Sequence, residues 1–396
     1  MTLSHCLLGT LAGLLMLAAL LFSLFAAVPA LSRRRLSSLL ALGEQNDVCG
    51  LIRETWNASD VICQTHDVWT PDGYGLRLKR LLPIHNPRRG VVFLVPGLGD
   101  SSGTFVISGP TDSLAGVLWS SGFEIWLLDG RGKAPFGHRR GVHPDSAEYW
   151  DWSFDEKIKY DIPTAVEYSL NISQAKSLSG LVGHSQGALL ILLTLAQYPK
   201  LPVERAFLLA PPITGWSPQF ALPKGLFFPL LQYVLPTHNV ARIVGSVRST
   251  ISRTCLLFPS VCASITCLAS GCGQQSKITA TRLADIFTFY PVASSLKNAE
   301  HLMHCERNSA IILKYGSPVA EQVVLSNFSQ IQTPLYFFFG SADNLVDKRR
   351  FDNGPALFTP GIVRLYKILD YGHADFVWGE TAREHIYDDI VYSLKS

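Results

Sequence analysis

Charge is scarce in this sequence: Asp, Glu, Lys and Arg make up only 16% of its 396 residues, whereas 47% are hydrophobic. A chain with so little charge has no polyelectrolyte character, and it contains neither a disordered tract nor a repeat of fixed period. It reads as a globular protein with a large apolar interior. The 34 basic residues nearly balance the 31 acidic ones, and a net charge of +3 argues against nucleic acid as the main partner. No CxxC pair is present, so the usual zinc-ligand spacing is missing even though Cys255, Cys262, Cys267 and Cys272 lie close together and His301, His304 and Cys305 follow. Dense cysteines without that spacing, together with Cys49 and Cys63, point to disulfides and an oxidising compartment, with zinc as the rival.

From Cys6 to Leu31 no residue is charged, and Arg33, Arg34 and Arg35 follow at once. At about 1.5 Å per residue it is long enough to span a bilayer core of roughly 30 Å. A cleaved signal peptide, with Val28, Pro29 and Ala30 as a small-residue site, competes with a retained membrane anchor over residues 6–31. The arginines would hold an uncleaved chain in the cytosol, against the cysteine evidence. Sequons at Asn57, Asn171 and Asn327 give weak support to secretion. The expected location is the secretory pathway, a lysosome or the exterior, with a single-pass anchored form as the alternative.

Short apolar runs bounded by Gly, Pro or Asp read as buried parallel strands: 90–95, 123–128, 178–183, 205–209, 334–339 and 363–368. Between the second and third, Trp150 to Leu170 suits a helix containing or broken at Pro163, and Ala188 to Gln197 is a strong apolar helix. Alternation of this kind means an α/β fold with a mostly parallel sheet and right-handed crossovers. It fails between Ile213 and Asn308, where Phe220, Leu226, Phe227 and Tyr233 stand among aromatic and leucine residues without a clear strand. Such a length is too great for a loop. The expected division is an N-terminal signal or anchor segment and linker over 1–45, a first core part over 46–212, a mainly helical cap over 213–308, and a second core part over 309–396. Ligands bind at the carboxyl ends of such strands, so the cap should cover the site.

Gly183, His184, Ser185, Gln186 and Gly187 fit the GxSxG nucleophile elbow, in which a serine projects from a tight strand-to-helix turn. A second match, Gly99 to Gly103 around Ser101, follows a strand but precedes Thr104 to Pro110, a poor helix start, and fits an oxyanion loop better. A serine needs a base oriented by an acid, and in this fold the chain order is Ser, acid, His. Asp343 and His373 each lie just beyond a strand candidate, with Asp347 as runner-up acid, while His238, His301, His304 and His385 read as surface or packing residues. The oxyanion donors expected are the backbone N–H groups of Gln186 and Leu98, the latter in the loop Pro96 to Gly99. No metal or cofactor is required.

With these residues in place, the sequence from about Asn46 onward resembles the acid lipase family that includes lysosomal acid lipase and gastric lipase. The resemblance rests on Thr70 to Tyr74, Gly97 to Pro110, Arg131 and Gly132, Tyr149 to Glu156, Tyr160, Asp161, Pro163, and Asp375 to Gly379. It implies an α/β-hydrolase with a triad of Ser185, Asp343 and His373, Leu98 and Gln186 as oxyanion donors, and a lidded site for triacylglycerols or sterol esters at a lipid–water interface. Pro96 and Gly99 depart from the family's His and Leu, as does the segment Tyr290 to Ser294 from its cap motif. An esterase for smaller esters, an acyltransferase and a catalytically silent lipid carrier are the alternatives.

Overall fold

The computed structural model describes residues 30–45, 47–56, 61–83, 88–133, 137–213, 240–275, 278–304, 315, 328–346 and 358–396. Residues 1–29, the sequons at Asn57 and Asn327, Cys305, Asp347, His238 and the aromatic stretch 220–233 lie outside them.

An eight-stranded sheet organises the fold: β1 (Val61–Trp69), β2 (Gly75–Pro83), β3 (Val91–Val95), β4 (Glu124–Asp129), β5 (Gly180–His184), β6 (Ala206–Leu209), β7 (Leu335–Gly340) and β8 (Val363–Leu369), in the order β1-β2-β4-β3-β5-β6-β7-β8. β1 and β2 form an antiparallel ribbon, and β2 joins β4 antiparallel. Every neighbour from β4 across to β8 is parallel. β3, β5 and β6 are buried along their whole length, which is why β3 and β6 consist of unbroken apolar runs and not of alternating residues.

Helices cover both faces: α1 (Ala30–Gln45), α2 (Val48–Thr55), α3 (Leu114–Ser120), α4 (Ile162–Ser173) and α5 (Gln186–Gln197) precede the segment between β6 and β7. Pro163 sits in the first turn of α4, where its missing N–H costs nothing, and a wider turn at Lys157–Asp161 precedes it. α5 is buried from Gln186 to Ala196, consistent with its near-absence of polar residues. Residues 30–45 form α1, in which Leu36, Leu39 and Leu40 recur at helical spacing and are buried, and Arg35 pairs with Asp285 at 2.7 Å.

Between β6 and β7 the described residues are helical: α6 (Val240–Leu257), α7 (Pro259–Ser270), α8 (Ala280–Ile286) and α9 (Leu296–His304). Disulfides join Cys49 to Cys63, tying α2 to β1, Cys255 to Cys262, tying α6 to α7, and Cys267 to Cys272 at the end of α7. These sulfurs are thereby unavailable to zinc. The chain closes with α10 (Asp388–Lys395), whose Ile390, Val391 and Leu394 pack into the core. Among the described residues, no helix is long and apolar enough to cross a membrane.

Candidate active site

Ser185 occupies the turn between β5 and α5 with φ 55° and ψ −125°, a conformation that costs a non-glycine residue energy and projects its side chain from the sheet edge. The turn is this tight because its flanks carry no side chains. A Cβ on Gly187 would lie 2.2 Å from the carbonyl oxygen of Val95, and one on Gly183 would lie 2.5 Å from the nitrogen of Ala188. The Ser185 N–H is anchored to the Leu209 carbonyl of β6 at 2.8 Å.

His373 lies in the loop after β8, with Nε2 2.7 Å from Ser185 Oγ and Nδ1 2.8 Å from Asp343 Oδ2. Asp343 lies in the loop after β7, and its other oxygen accepts the backbone N–H groups of Leu345 at 2.7 Å and Val346 at 2.9 Å. With its side chain only 1% exposed, the carboxylate is held by three hydrogen bonds and cannot swing toward water. Three residues from three loops thus form one hydrogen-bonded line. Asp343 fixes the tautomer in which Nδ1 carries hydrogen and Nε2 is free to accept from Oγ.

Gln186 opens α5, so its N–H belongs to the first turn, where helical donors have no partner within the helix. Leu98 and Gly99 border the same space from the loop after β3, and Gly97 comes so near that a Cβ there would lie 3.2 Å from that of Ser185. His184 is buried beside them and bonds through Nε2 to the His373 carbonyl oxygen at 2.9 Å. Burial first, and the neighbouring His373 ring second, push its pKa down to about 3, so it stays neutral. Asp100 is pushed up to about 7 by burial, against the pull of Lys133.

A cavity of about 670 Å³ opens onto Ser185 and His373. Its walls are mainly apolar, with Ile251, Val261 and Ile265 from α6 and α7 facing Phe287, Tyr290 and Trp378. Helices of the segment between β6 and β7 therefore form much of the wall.

Several of the residues that carry the family resemblance come together around Arg131. Arg131 is fully buried, bonds Asp161 through Nε at 2.9 Å and Nη2 at 2.7 Å, reaches Asp72 at 2.8 Å, and stacks its guanidinium 4.3 Å from the Tyr74 ring. Tyr74, Tyr149, Trp150 and Trp152 pack around it. Ser102 bonds Asp129 at 2.7 Å. Ser101 stands apart from the line: it is fully buried, caps the short turn Ser102–Phe105 and donates to the Phe289 carbonyl at 3.5 Å. His301 stacks on Phe154 at 3.7 Å, and His385 packs near Tyr371.

Two further features are absent from the sequence reading. The side chain of Gln186 forms a cyclic amide pair with Asn298 of α9, and Lys157 approaches the same Gln186 oxygen at 3.4 Å. Burial lowers the Lys157 amine to about 7. Nothing in the local pattern of α9 singles out Asn298. The five-residue spacing of Cys267 and Cys272 beside Gly271 and Gly273 was the available sign of a compact loop there.

Residues 86–353 match the family described as Serine aminopeptidase, S33, and residues 52–109 match the partial alpha/beta-hydrolase lipase region. The chain is 27% identical over 358 residues to lipase lipl-1 of Caenorhabditis elegans, covering 82% of this chain and 86% of that one. It is 27% identical over 354 residues to human gastric triacylglycerol lipase, covering 83% and 86%. A crystal structure of a soluble variant of monoglyceride lipase from Saccharomyces cerevisiae superimposes with a TM-score of 0.53 at 15% identity, over 85% of this chain and 96% of that one, and supports the fold. The chain belongs to the family described as Serine aminopeptidase, S33, and, within the α/β-hydrolase fold, to the acid lipases, which makes it a carboxylic ester hydrolase.

Proposed function

We propose that this chain is a lipase that hydrolyses esters of neutral lipids, triacylglycerols or sterol esters, through an acyl-enzyme on Ser185. The observation that carries the reading is the line Ser185–His373–Asp343 opening into an apolar cavity of about 670 Å³. Ser185 Oγ attacks the ester carbonyl while His373 Nε2 takes its proton, and Asp343 stabilises the imidazolium through Nδ1. The backbone N–H groups of Gln186 and Leu98 receive the charge that builds on the carbonyl oxygen. Collapse expels the alcohol with the proton from Nε2. Water, deprotonated by the same nitrogen, then attacks the acyl-enzyme, releases the fatty acid and returns the proton to Ser185.

The helices between β6 and β7 act as the cap in this reading, within the division 1–45, 46–212, 213–308 and 309–396. The cavity favours a long acyl chain over a polar ester. It also favours an ester over the amine-bearing peptide that the family description names. An α-ammonium needs a facing carboxylate, and the acidic residue on the wall among the described residues, Asp100, spends one oxygen on the Ser101 N–H at 2.7 Å. Three disulfides support passage through an oxidising compartment, hence the secretory pathway, a lysosome or the exterior.

The test is hydrolysis of long-chain triacylglycerol, cholesteryl ester and short soluble esters by the protein and by Ser185→Ala, across the acid-to-neutral range. Long-chain activity that vanishes in the variant is expected. Activity only on short esters would make it an esterase, and equal activity of the variant would remove Ser185 from the mechanism. Failure of a fluorophosphonate to label Ser185 in an inactive protein would favour a lipid carrier.

A further inference from the structure

The chain from Leu268 to Gln275 lies across both loops that hold the partners of Ser185. The carbonyl oxygen of Ser270 accepts the His373 N–H at 2.7 Å and the Asn344 N–H at 3.3 Å, so one atom bridges the loop of the base and the loop of the acid. Asn344 Nδ2 donates to the Leu268 carbonyl at 3.2 Å. On the far side, the Gln275 N–H donates to the Asp370 carbonyl at 3.3 Å and its side-chain oxygen accepts the Asp370 N–H at 2.8 Å.

Beside these side-chain bonds backbone lies directly on backbone, and glycine permits it. A Cβ on Gly271 would fall 1.8 Å from the Ala342 carbonyl oxygen, one on Gly273 1.6 Å from that of Asp370, and one on Gly372 2.1 Å from that of Gly271. Gly271 also has φ +85°, which disfavours a side chain on conformational grounds alone. The disulfide Cys267–Cys272 closes the turn containing Ser270 and Gly271.

We propose that the loop 267–272 is a positioning clasp, in which the Ser270 carbonyl, held by the disulfide, sets His373 and Asp343 in register with each other. The inference rests on the mechanism proposed above. Neither the cysteines nor Ser270 exchanges protons with substrate, so the clasp acts through His373. A base displaced by about 1 Å is expected to cost about 100-fold in rate, so a clasp of this kind has a measurable effect without altering any reacting group.

The variants are Cys267→Ala with Cys272→Ala, which opens the disulfide, and Gly271→Ala, which keeps it but drives a methyl into Ala342. Cys49→Ala with Cys63→Ala removes a disulfide remote from the site and serves as the control. Each is read by circular dichroism, by kcat on a short soluble ester, by the rate of Ser185 labelling with a fluorophosphonate, and by the acid limb of the pH–rate profile. The clasp predicts folded variants with kcat and labelling reduced about 10- to 100-fold in parallel and a displaced acid limb. The control should lose thermal stability and keep its rate and limb. Folded clasp variants with unchanged kcat and limb overturn the proposal, as does loss of folding in both, which would make the loop purely structural. Either variant that folds decides. Ser185→Ala, run alongside, separates the two ideas: if it is inactive while the clasp variants behave like the parent, the clasp alone fails, and if it is active, the mechanism beneath the clasp fails.

Discussion

Gln186 and Asn298, 112 positions apart, exchange both halves of their side-chain amides, Nε2 to Oδ1 at 3.2 Å and Nδ2 to Oε1 at 3.1 Å. Both residues are completely buried. The pair ties α9 to the residue that follows Ser185. Replacing Asn298 by Leu leaves the Gln186 amide without this partner in an apolar setting, and a loss of about 1–3 kcal/mol is expected. Urea unfolding of Asn298→Leu, set beside its kcat, checks this. A stability equal to the parent's would mean that Gln186 finds another partner.

Asp343→Asn keeps the shape of the line but offers an amide where the carboxylate accepted from His373 Nδ1. The imidazole then loses both its fixed tautomer and the charge that stabilises its protonated form. A fall in kcat of about 10⁴-fold is expected, with little change in folding. Steady-state hydrolysis of a short ester measures it, and a loss below tenfold would reassign the acid.

Arg131 has no exposed surface and faces Asp161, 1% exposed, and Asp72. Arg131→Met strands two carboxylates, one of them fully desolvated, and a destabilisation of about 3–5 kcal/mol is expected. Adding Asp161→Leu should recover part of that loss. Denaturant midpoints of the single and double variants decide it: if the second substitution only deepens the loss, the buried charge is not the cause.

His184 sets a pH dependence whose sign follows from its environment. In the fold its pKa is held at about 3, below the ordinary 6.5. The unfolded chain therefore takes up the proton first. The stability contributed is fully present above the ordinary value and is lost as pH falls toward 3, at a limiting slope of about 1.4 kcal/mol per pH unit. His184→Gln retains a donor for the His373 carbonyl and does not titrate, so its unfolding free energy should fall less steeply between neutral and acid pH. Parallel curves would show that another group governs the acid limb.

The parallel strands were legible because burial on both faces forces continuous apolar runs, and β3, β5 and β6 begin within two residues of where the pattern places them. β1 and β2 were not. Val61–Trp69 is an edge strand in which Val68 alone of the nine residues is buried, and its Gln64, His66 and Asp67 break any apolar rhythm. Tertiary pairing with β2, through Arg77 to Asp67 at 2.7 Å, overrides that weak local signal. Ser185, Asp343 and His373 could be read because each stands just past a legible strand. Asn298 and the loop around Ser270 could not, since their partners, Gln186 at the start of α5 and the loops after β7 and β8, come near them only in the finished fold.

The line Ser185–His373–Asp343 joins contacts of very different range. His373 and Asp343 are 30 positions apart, in the loops that follow two neighbouring strands, whereas His373 and Ser185 are separated by 188. Closing the shorter loop costs less entropy, so the acid–base couple can assemble while the serine's side of the sheet is still searching. Chemical reactivity at Ser185 is then a clock for completion: during refolding it should appear only after secondary structure has returned, marking the moment at which the two ends of the chain's work meet.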